Sequence, residues 1–297
     1  MVKVLIIGAG NTGESIVENL SPLRKVSKIF LFNRSFESSE FLSKKLKSKK
    51  ILPVKNLSSL SNLDFVIVTL SGMSVSSRNV SFRKSKSTYE MRQDELKYNL
   101  GAFIEIIPFF RSLSRKTKII IVTNPVDELS NYLKKILPNK EIFGFGLQLD
   151  VKRYSDYLGK EVDCIGLHGK AIPILGLKTD KDYDSLSKKV DSILVSKVRK
   201  FGIPHKFAGR EFKNYFVKFL SNKKVEIYTS YYLNKEFFGI KGILVALPFY
   251  VKKGKIVGIK NLNLSLVEEN RLKNEIKELN SSINKIISSH KSLISYK

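Results

Sequence analysis

The stretch that most constrains the fold is the opening one. Val2 to Ile7 (Val-Lys-Val-Leu-Ile-Ile) is almost continuously apolar, the pattern of a parallel strand covered on both faces. It runs into Gly8-Ala9-Gly10-Asn11-Thr12-Gly13, and Glu14 to Leu20 then reads as a helix. Between strand and helix, glycines at this G-x-G-x-x-G spacing have three separate tasks. The first allows the tight turn, the second lets backbone approach a diphosphate, and the third lets the helix pack closely on the strand. The unpaired N–H groups of the helix N-terminus then face the anion. Gly8, Gly10, Asn11, Thr12 and Gly13 are therefore candidate dinucleotide-binding residues, against the plainer reading of a structural turn.

Strands and helices go on alternating. Ile29 to Phe32 reads as the second strand, Ser35 to Lys47 as a helix, Ile51 to Val54 as an edge strand, and Phe65 to Thr69, Lys118 to Thr123 and Glu141 to Gly146 as further strands. The second strand ends at Asn33-Arg34-Ser35, where an NAD site usually places Asp or Glu against the ribose hydroxyls. Without that carboxylate a 2′-phosphate is not repelled, and Arg34 can pair with one. Asn33 and Arg34 thus favour NADP, or use of either NAD or NADP; the other reading makes Asn33 a helix cap and Arg34 a solvated charge.

From Val151 onward the pattern becomes helix-rich with late antiparallel strands. Tyr183 to Phe201 and Phe212 to Leu220 read as helices, and Ile243 to Tyr250 and Lys255 to Leu262 flank a hairpin signal at Lys252-Lys253-Gly254. Ser265 with Glu268 forms a capping box for a last helix. Its stripe of Leu272, Ile276, Leu279, Ile283 and Ile286 suits packing on the body of the protein better than a coiled coil. The expected fold is α/β: a Rossmann-type doubly wound parallel sheet over residues 1–147 that binds the dinucleotide, followed by an α+β substrate domain over 148–297.

Composition narrows the partners. The net charge of +26 is large, but the lysines are spread through nearly every segment, which fits an evenly basic surface better than a nucleic-acid face. A single cysteine, Cys164, excludes an intrachain disulfide and a Cys-based metal cage, and fits a cytoplasmic location. It reads as a core residue, and no metal site is expected. No apolar run has the length of a membrane span or the form of a signal peptide.

The chemistry-bearing residues gather at Leu149-Asp150-Val151-Lys152-Arg153 and Gly166-Leu167-His168-Gly169. An imidazole oriented by a carboxylate exchanges protons near neutral pH. Asp150 and Arg153 stand about one helical turn apart, a spacing shared by catalytic pairs and by ordinary surface ion pairs. Asn124-Pro125 follows a strand end, where ligands sit in an open sheet, although Asn124 also suits a helix cap. Met73 to Thr88 is polar and basic, with Arg78, Arg83, Lys84 and Lys86, and reads as a loop. Arg92 after it is either a hinge arginine over substrate or a surface charge. His205 and His290 read as ordinary residues.

Together these pieces resemble the lactate and malate dehydrogenase family. The matching residues are Gly8-Ala9-Gly10-x-x-Gly13, Val66-Ile67-Val68-Thr69, Arg92 with Leu96 and Asn99, Val122-Thr123-Asn124-Pro125-Val126-Asp127, Leu149-Asp150-x-x-Arg153, Gly166-x-His168-Gly169, and the late Gly239-Ile240-x-Gly242-Ile243-x-x-Ala246-Leu247-Pro248. The resemblance implies that His168 donates and accepts the proton, Asp150 orients it, Arg153 clamps the substrate carboxylate and Arg92 polarises the reacting carbonyl. Asn124 would position substrate, Thr69 and Asn99 would join the cofactor site, and Arg83 fits best as the first loop arginine, with Arg78 competing. It further implies an NAD(P)-dependent 2-hydroxy acid dehydrogenase, with malate and oxaloacetate or lactate and pyruvate as substrates, and a homodimer or homotetramer. The rival is a non-catalytic dinucleotide-binding paralogue. Two departures motivate it: the loop before Arg92 is longer than is usual in the family, and Lys170 stands where the family has Asp.

Overall fold

Short apolar runs become parallel strands when helices can cover both faces, and six do so here. The computed structural model describes residues 1–73 and 87–289. Strands β1 (Val2–Ile7), β2 (Val26–Phe32), β3 (Ile51–Pro53), β4 (Phe65–Val68), β5 (Lys118–Ile121) and β6 (Glu141–Gly144) lie in the order β3-β2-β1-β4-β5-β6. Strand order reverses between β1 and β4, which opens a crevice beyond their carboxyl ends. Helices α1 (Asn11–Leu20), α2 (Phe36–Leu46), α3 (Thr88–Ser112), α4 (Val126–Ile136) and α5 (Leu147–Leu158) connect or follow these strands.

The alternation of side chains along β1 creates two cores. Val4 and Ile6 join one with Ile16, Val17 and Leu20 of α1, whereas Leu5 and Ile7 join another with Phe103 and Phe110 of α3 and Leu129 and Leu133 of α4.

The later residues extend the same sheet. A two-stranded ribbon of β7 (Cys164–Ile165) and β8 (Ile172–Pro173) brackets the His168 segment. Then come α6 (Asp180–Phe201), α7 (His205–Phe219), β9 (Val225–Tyr232), β10 (Leu244–Lys252), β11 (Lys255–Ile259) and α8 (Leu266–Ser289). β9 joins β6 in antiparallel fashion at Gly144 and Ser230, so the sheet has nine strands.

Several boundaries differ from those expected, for physical reasons. Helices α1, α6 and α7 start earlier than their apolar periodicity, because turns and caps set a helix start. Thr179 and Asp182 form a full capping box ahead of α6. β9 was not foreseen, since Thr229 and Ser230 break its apolar pattern. Both are buried, however, because their hydroxyls bond the Gly144 carbonyl and Asp127. Asn33 does not cap α2; Ser35 does, accepting from the Ser38 N–H. Cys164 is fully buried, and Lys253 and Gly254, both at positive φ, turn the β10–β11 hairpin.

The expected stripe on α8 is buried in full: Leu272, Ile276, Leu279, Ile283 and Ile286 all lie in the cores. Leu272→Ala should destabilise the protein by about 2–5 kcal/mol in chemical denaturation, the usual loss for a buried leucine that leaves a cavity. A change below about 1 kcal/mol would mean that α8 does not anchor the body of the protein.

Candidate active site

At the crevice, the glycines divide their tasks by geometry. Gly8 has φ +103°, and a Cβ there would lie 2.5 Å from the Leu70 nitrogen. A Cβ on Gly13 would lie 1.9 Å from the Gly8 carbonyl oxygen, so α1 packs against the turn only without one. At Gly10 a Cβ would meet nothing within 4 Å. Gly10 is also the N-cap of α1 and supplies no side-chain cap, so the first-turn N–H groups face the crevice. The Thr69 hydroxyl donates to the Gly8 carbonyl (2.5 Å), and the Ala9 N–H donates to Asn33 Oδ1 (2.6 Å).

The resulting cleft of about 630 Å³ is lined by Gly8, Gly10, Asn11, Thr12, Asn33, Arg34, Thr69 and Asn124. Gly13 and Asn99 are absent from that lining. Asn99 holds the cleft together instead: it is fully buried, donates to the Asn124 carbonyl (2.6 Å) and accepts from the Gly72 N–H (2.8 Å). Asn124 Oδ1 is buried with no hydrogen-bond partner among the described residues, an acceptor that a ligand amide or hydroxyl would satisfy. An anion-ready helix end, an open Gly10 and this orphaned acceptor fit a dinucleotide.

The second cluster is built around Asp150, in the first turn of α5. Its Oδ2 accepts from His168 Nδ1 (2.7 Å) and the Gly169 N–H (3.0 Å), and its Oδ1 accepts from Arg153 Nη1 (2.6 Å). Burial opposes its charge, but His168, Arg153 and Arg92 overcome that and hold it well below the usual carboxylate range. Burial, then Arg92, pushes the His168 imidazole down to about 4, with Asp150 pulling the other way. The pair at neutral pH is therefore an anionic Asp150 and a neutral His168. An anionic carboxylate only accepts, so Nδ1 carries the proton and Nε2 is left as the basic nitrogen. Gly146 completes the fit, because a Cβ there would lie 2.4 Å from His168 Cγ.

Asp127 supports the histidine from behind, accepting from the His168 main-chain N–H (2.7 Å) and from the Ser230 hydroxyl (2.7 Å). Burial and the neighbouring Glu128 push its carboxyl up to about 7. Arg92, on α3, is buried, and its Nη1 lies 2.0 Å from where a Cβ on Gly169 would stand, a contact that the glycine makes room for at φ +92°. Burial and Arg153 lower its guanidinium to about 10, which leaves it charged at neutral pH. Lys170 pairs with Glu278 (2.9 Å) and lies over the Tyr89 ring (4.2 Å), so the residue that departs from the family pattern is tied to α8 and to the start of α3.

The structure thus brings His168, Asp150, Arg153 and Arg92 together. Arg153 opens onto a second cleft, of about 660 Å³, whereas Asn124 lines the glycine-turn cleft. Arg83, its competitor Arg78, Lys84, Lys86 and His290 lie outside the described residues. Sequence reasoning missed Lys55 and His205, both of which line the glycine-turn cleft. Asp127 belongs to the Asn124-Pro125-Val126-Asp127 motif, whose spacing alone gives no sign that it reaches the His168 backbone. Among the described residues no group of three or more His, Cys, Asp or Glu could hold a metal ion, and no helix is long and apolar enough to cross a membrane.

Glu275 of α8 supplies a pH test. Its Oε2 is buried without a hydrogen-bond partner among the described residues and packs against Gly166. Burial raises its carboxyl to about 8, against the pull of Lys170 and Arg271. An acid whose folded pKa is raised keeps its proton where the unfolded chain has lost it, so its contribution to stability falls as pH rises from about 4.5 to 8. Glu275→Gln should therefore melt progressively higher than wild type as pH rises from 5 to 8, as followed by thermal denaturation. A constant difference across that range would refute the assignment.

Comparison with known proteins finds relatives in sequence and in fold. Residues 1–101 match the Shikimate / quinate 5-dehydrogenase family, a stretch that holds the glycine turn but not His168. L-lactate dehydrogenase of Thermoanaerobacterium saccharolyticum is 28% identical over 197 residues, covering 63% of this chain and 58% of the relative. Malate dehydrogenase 1 of Aquifex aeolicus is 22% identical over 312 residues, covering 90% of each. The aligned stretch spans between 52% and 58% of the length of the first curated relatives. The solved malate dehydrogenase of Archaeoglobus fulgidus in complex with NADH has the same fold, with a TM-score of 0.75 at 20% identity, covering 95% of this chain and 99% of that one. In sequence the chain is similar to lactate and malate dehydrogenases, and its fold is that of a solved malate dehydrogenase.

Proposed function

We propose that this protein is an NAD(P)-dependent 2-hydroxy acid dehydrogenase that interconverts a 2-oxo and a 2-hydroxy acid, malate and oxaloacetate or lactate and pyruvate. The observation that carries the reading is the bonded series His168, Asp150, Arg153, with the Arg92 guanidinium against Gly169, in a chain that also has the glycine-turn cleft. Residues 1–147 bind the dinucleotide and residues 148–297 supply the acid-base and substrate groups. Gly8, Gly10, Asn11, Thr12, Asn33, Arg34, Thr69 and Asn124 hold the cofactor, whose nicotinamide supplies or accepts the hydride.

The remaining chemistry belongs to the chain. In the oxidising direction the neutral His168 takes the hydroxyl proton at Nε2, and the imidazolium so formed is stabilised by Asp150 through Nδ1–H. In the reducing direction His168 must first be protonated, which burial and Arg92 oppose. The carboxylate of a bound oxo acid offsets that by neutralising guanidinium charge at Arg153, a bidentate partner, while Arg92 stabilises negative charge on the reacting oxygen. We extend the reading to a homodimer or homotetramer in the cytoplasm.

The test is a screen of oxaloacetate, pyruvate and related oxo acids with NADH and NADPH. Wild type should turn over at least one of them, and His168→Asn should lower kcat by about 100-fold or more, the scale of general acid-base catalysis. Arg153→Ala should act chiefly on KM. Dinucleotide binding without turnover above the His168→Asn control would leave the non-catalytic paralogue instead.

Cofactor choice has its own test. Arg34 and Lys55 line the cleft near the end of β2, where Asn33 takes the place of the usual carboxylate. Wild type should use NADPH, and Arg34→Asp should raise the KM for NADPH about tenfold, the effect of losing one charge-assisted pair. A KM unchanged by the substitution would remove Arg34 from the site.

A further inference from the structure

His205 lies far along the chain from the glycine turn, in a segment whose sequence suggests no ligand, yet the fold brings it to that turn. It is the first residue of α7, half-buried, and its Nδ1 is 2.8 Å from the Thr12 hydroxyl. Thr12 belongs to the first turn of α1, where backbone N–H groups have no intrahelical partner and Gly10 leaves open space. His205, Thr12, Gly10 and Asn11 line the same cleft. α7 contributes its own N-terminus there, with no acidic residue in its first turn and Lys206 beside His205. Close packing holds the two helices in register: a Cβ on Gly209 would lie 2.2 Å from Ser15 Oγ.

Two helix N-termini and an imidazole therefore converge on one end of the cleft, all favouring negative charge. The bond to Thr12 fixes the orientation of the ring. We propose that His205 is a diphosphate-binding residue, which grips the ligand's phosphate oxygens from α7 while the glycine turn grips them from α1. The inference rests on reading the glycine-turn cleft as a dinucleotide site. It adds that the phosphates are held by both halves of the chain, across the existing packing of α7 on α1.

The test compares ADP, adenosine and NADH by isothermal titration calorimetry on wild type, His205→Ala and His205→Gln, each checked for an unchanged melting temperature without ligand. His205→Ala should weaken ADP and NADH about tenfold and leave adenosine within twofold, and His205→Gln, which keeps a donor, should recover part of the loss. The rise in melting temperature that saturating ADP gives wild type should shrink in parallel. If alanine prevents folding, His205→Leu keeps the bulk without the polar atoms and carries the same comparison. Equal ADP affinity in wild type and variant would overturn the proposal. So would equal losses for ADP and adenosine, which would make His205 a packing residue. If wild type binds NADH while His205→Ala binds it as well, the inference fails and the cleft reading stands; if wild type binds none of the three, the cleft reading itself fails and the inference with it.

Discussion

The candidate site depends on one buried carboxylate. Asp150 is taken out of water at the start of α5, a cost that the chain offsets by filling its acceptor positions with the His168 imidazole, the Gly169 N–H and the Arg153 guanidinium. Because the anion is held by so many donors, the tautomer of His168 is fixed and its basic nitrogen is set apart from Asp150. Each partner also needs support of its own. Asp127 fixes the His168 backbone, and the two glycines at 146 and 169 admit the imidazole and the Arg92 guanidinium at distances that any side chain would forbid.

That arrangement is possible because the sheet is continuous. β6 leads straight to α5, while its antiparallel neighbour β9 brings Ser230 to Asp127. The ribbon of β7 and β8 then returns His168 against α5. The glycine turn lies at the carboxyl end of β1, and Asn99 links the loops after β4 and β5 through Gly72 and Asn124. The Asp150–His168 cluster and the cleft are thus positioned by one sheet and the loops at its strand ends.

The first half of the fold was legible because buried parallel strands are written as apolar runs and helices start at turn and cap residues. β9 was not, since Thr229 and Ser230 look like loop residues until their hydroxyls find Gly144 and Asp127 across the sheet. Asn33 shows the same limit on a smaller scale. It has the composition of a helix cap, but the cap is Ser35, and Asn33 turns instead toward Ala9.

By itself the sequence determined the glycine turn and the alternation that forces a doubly wound sheet, and it singled out Asp150, Arg153 and His168 as candidates, because each of these is a matter of local spacing or of residue type. Only the tertiary structure decided which groups meet. That Asp150 bonds His168, that Arg92 rests on Gly169, and that His205 reaches Thr12 are contacts between segments separated along the chain, set by how strands order and helices pack. His205 has no local pattern to announce it, and it reaches the cleft because Gly209 lets α7 settle against α1.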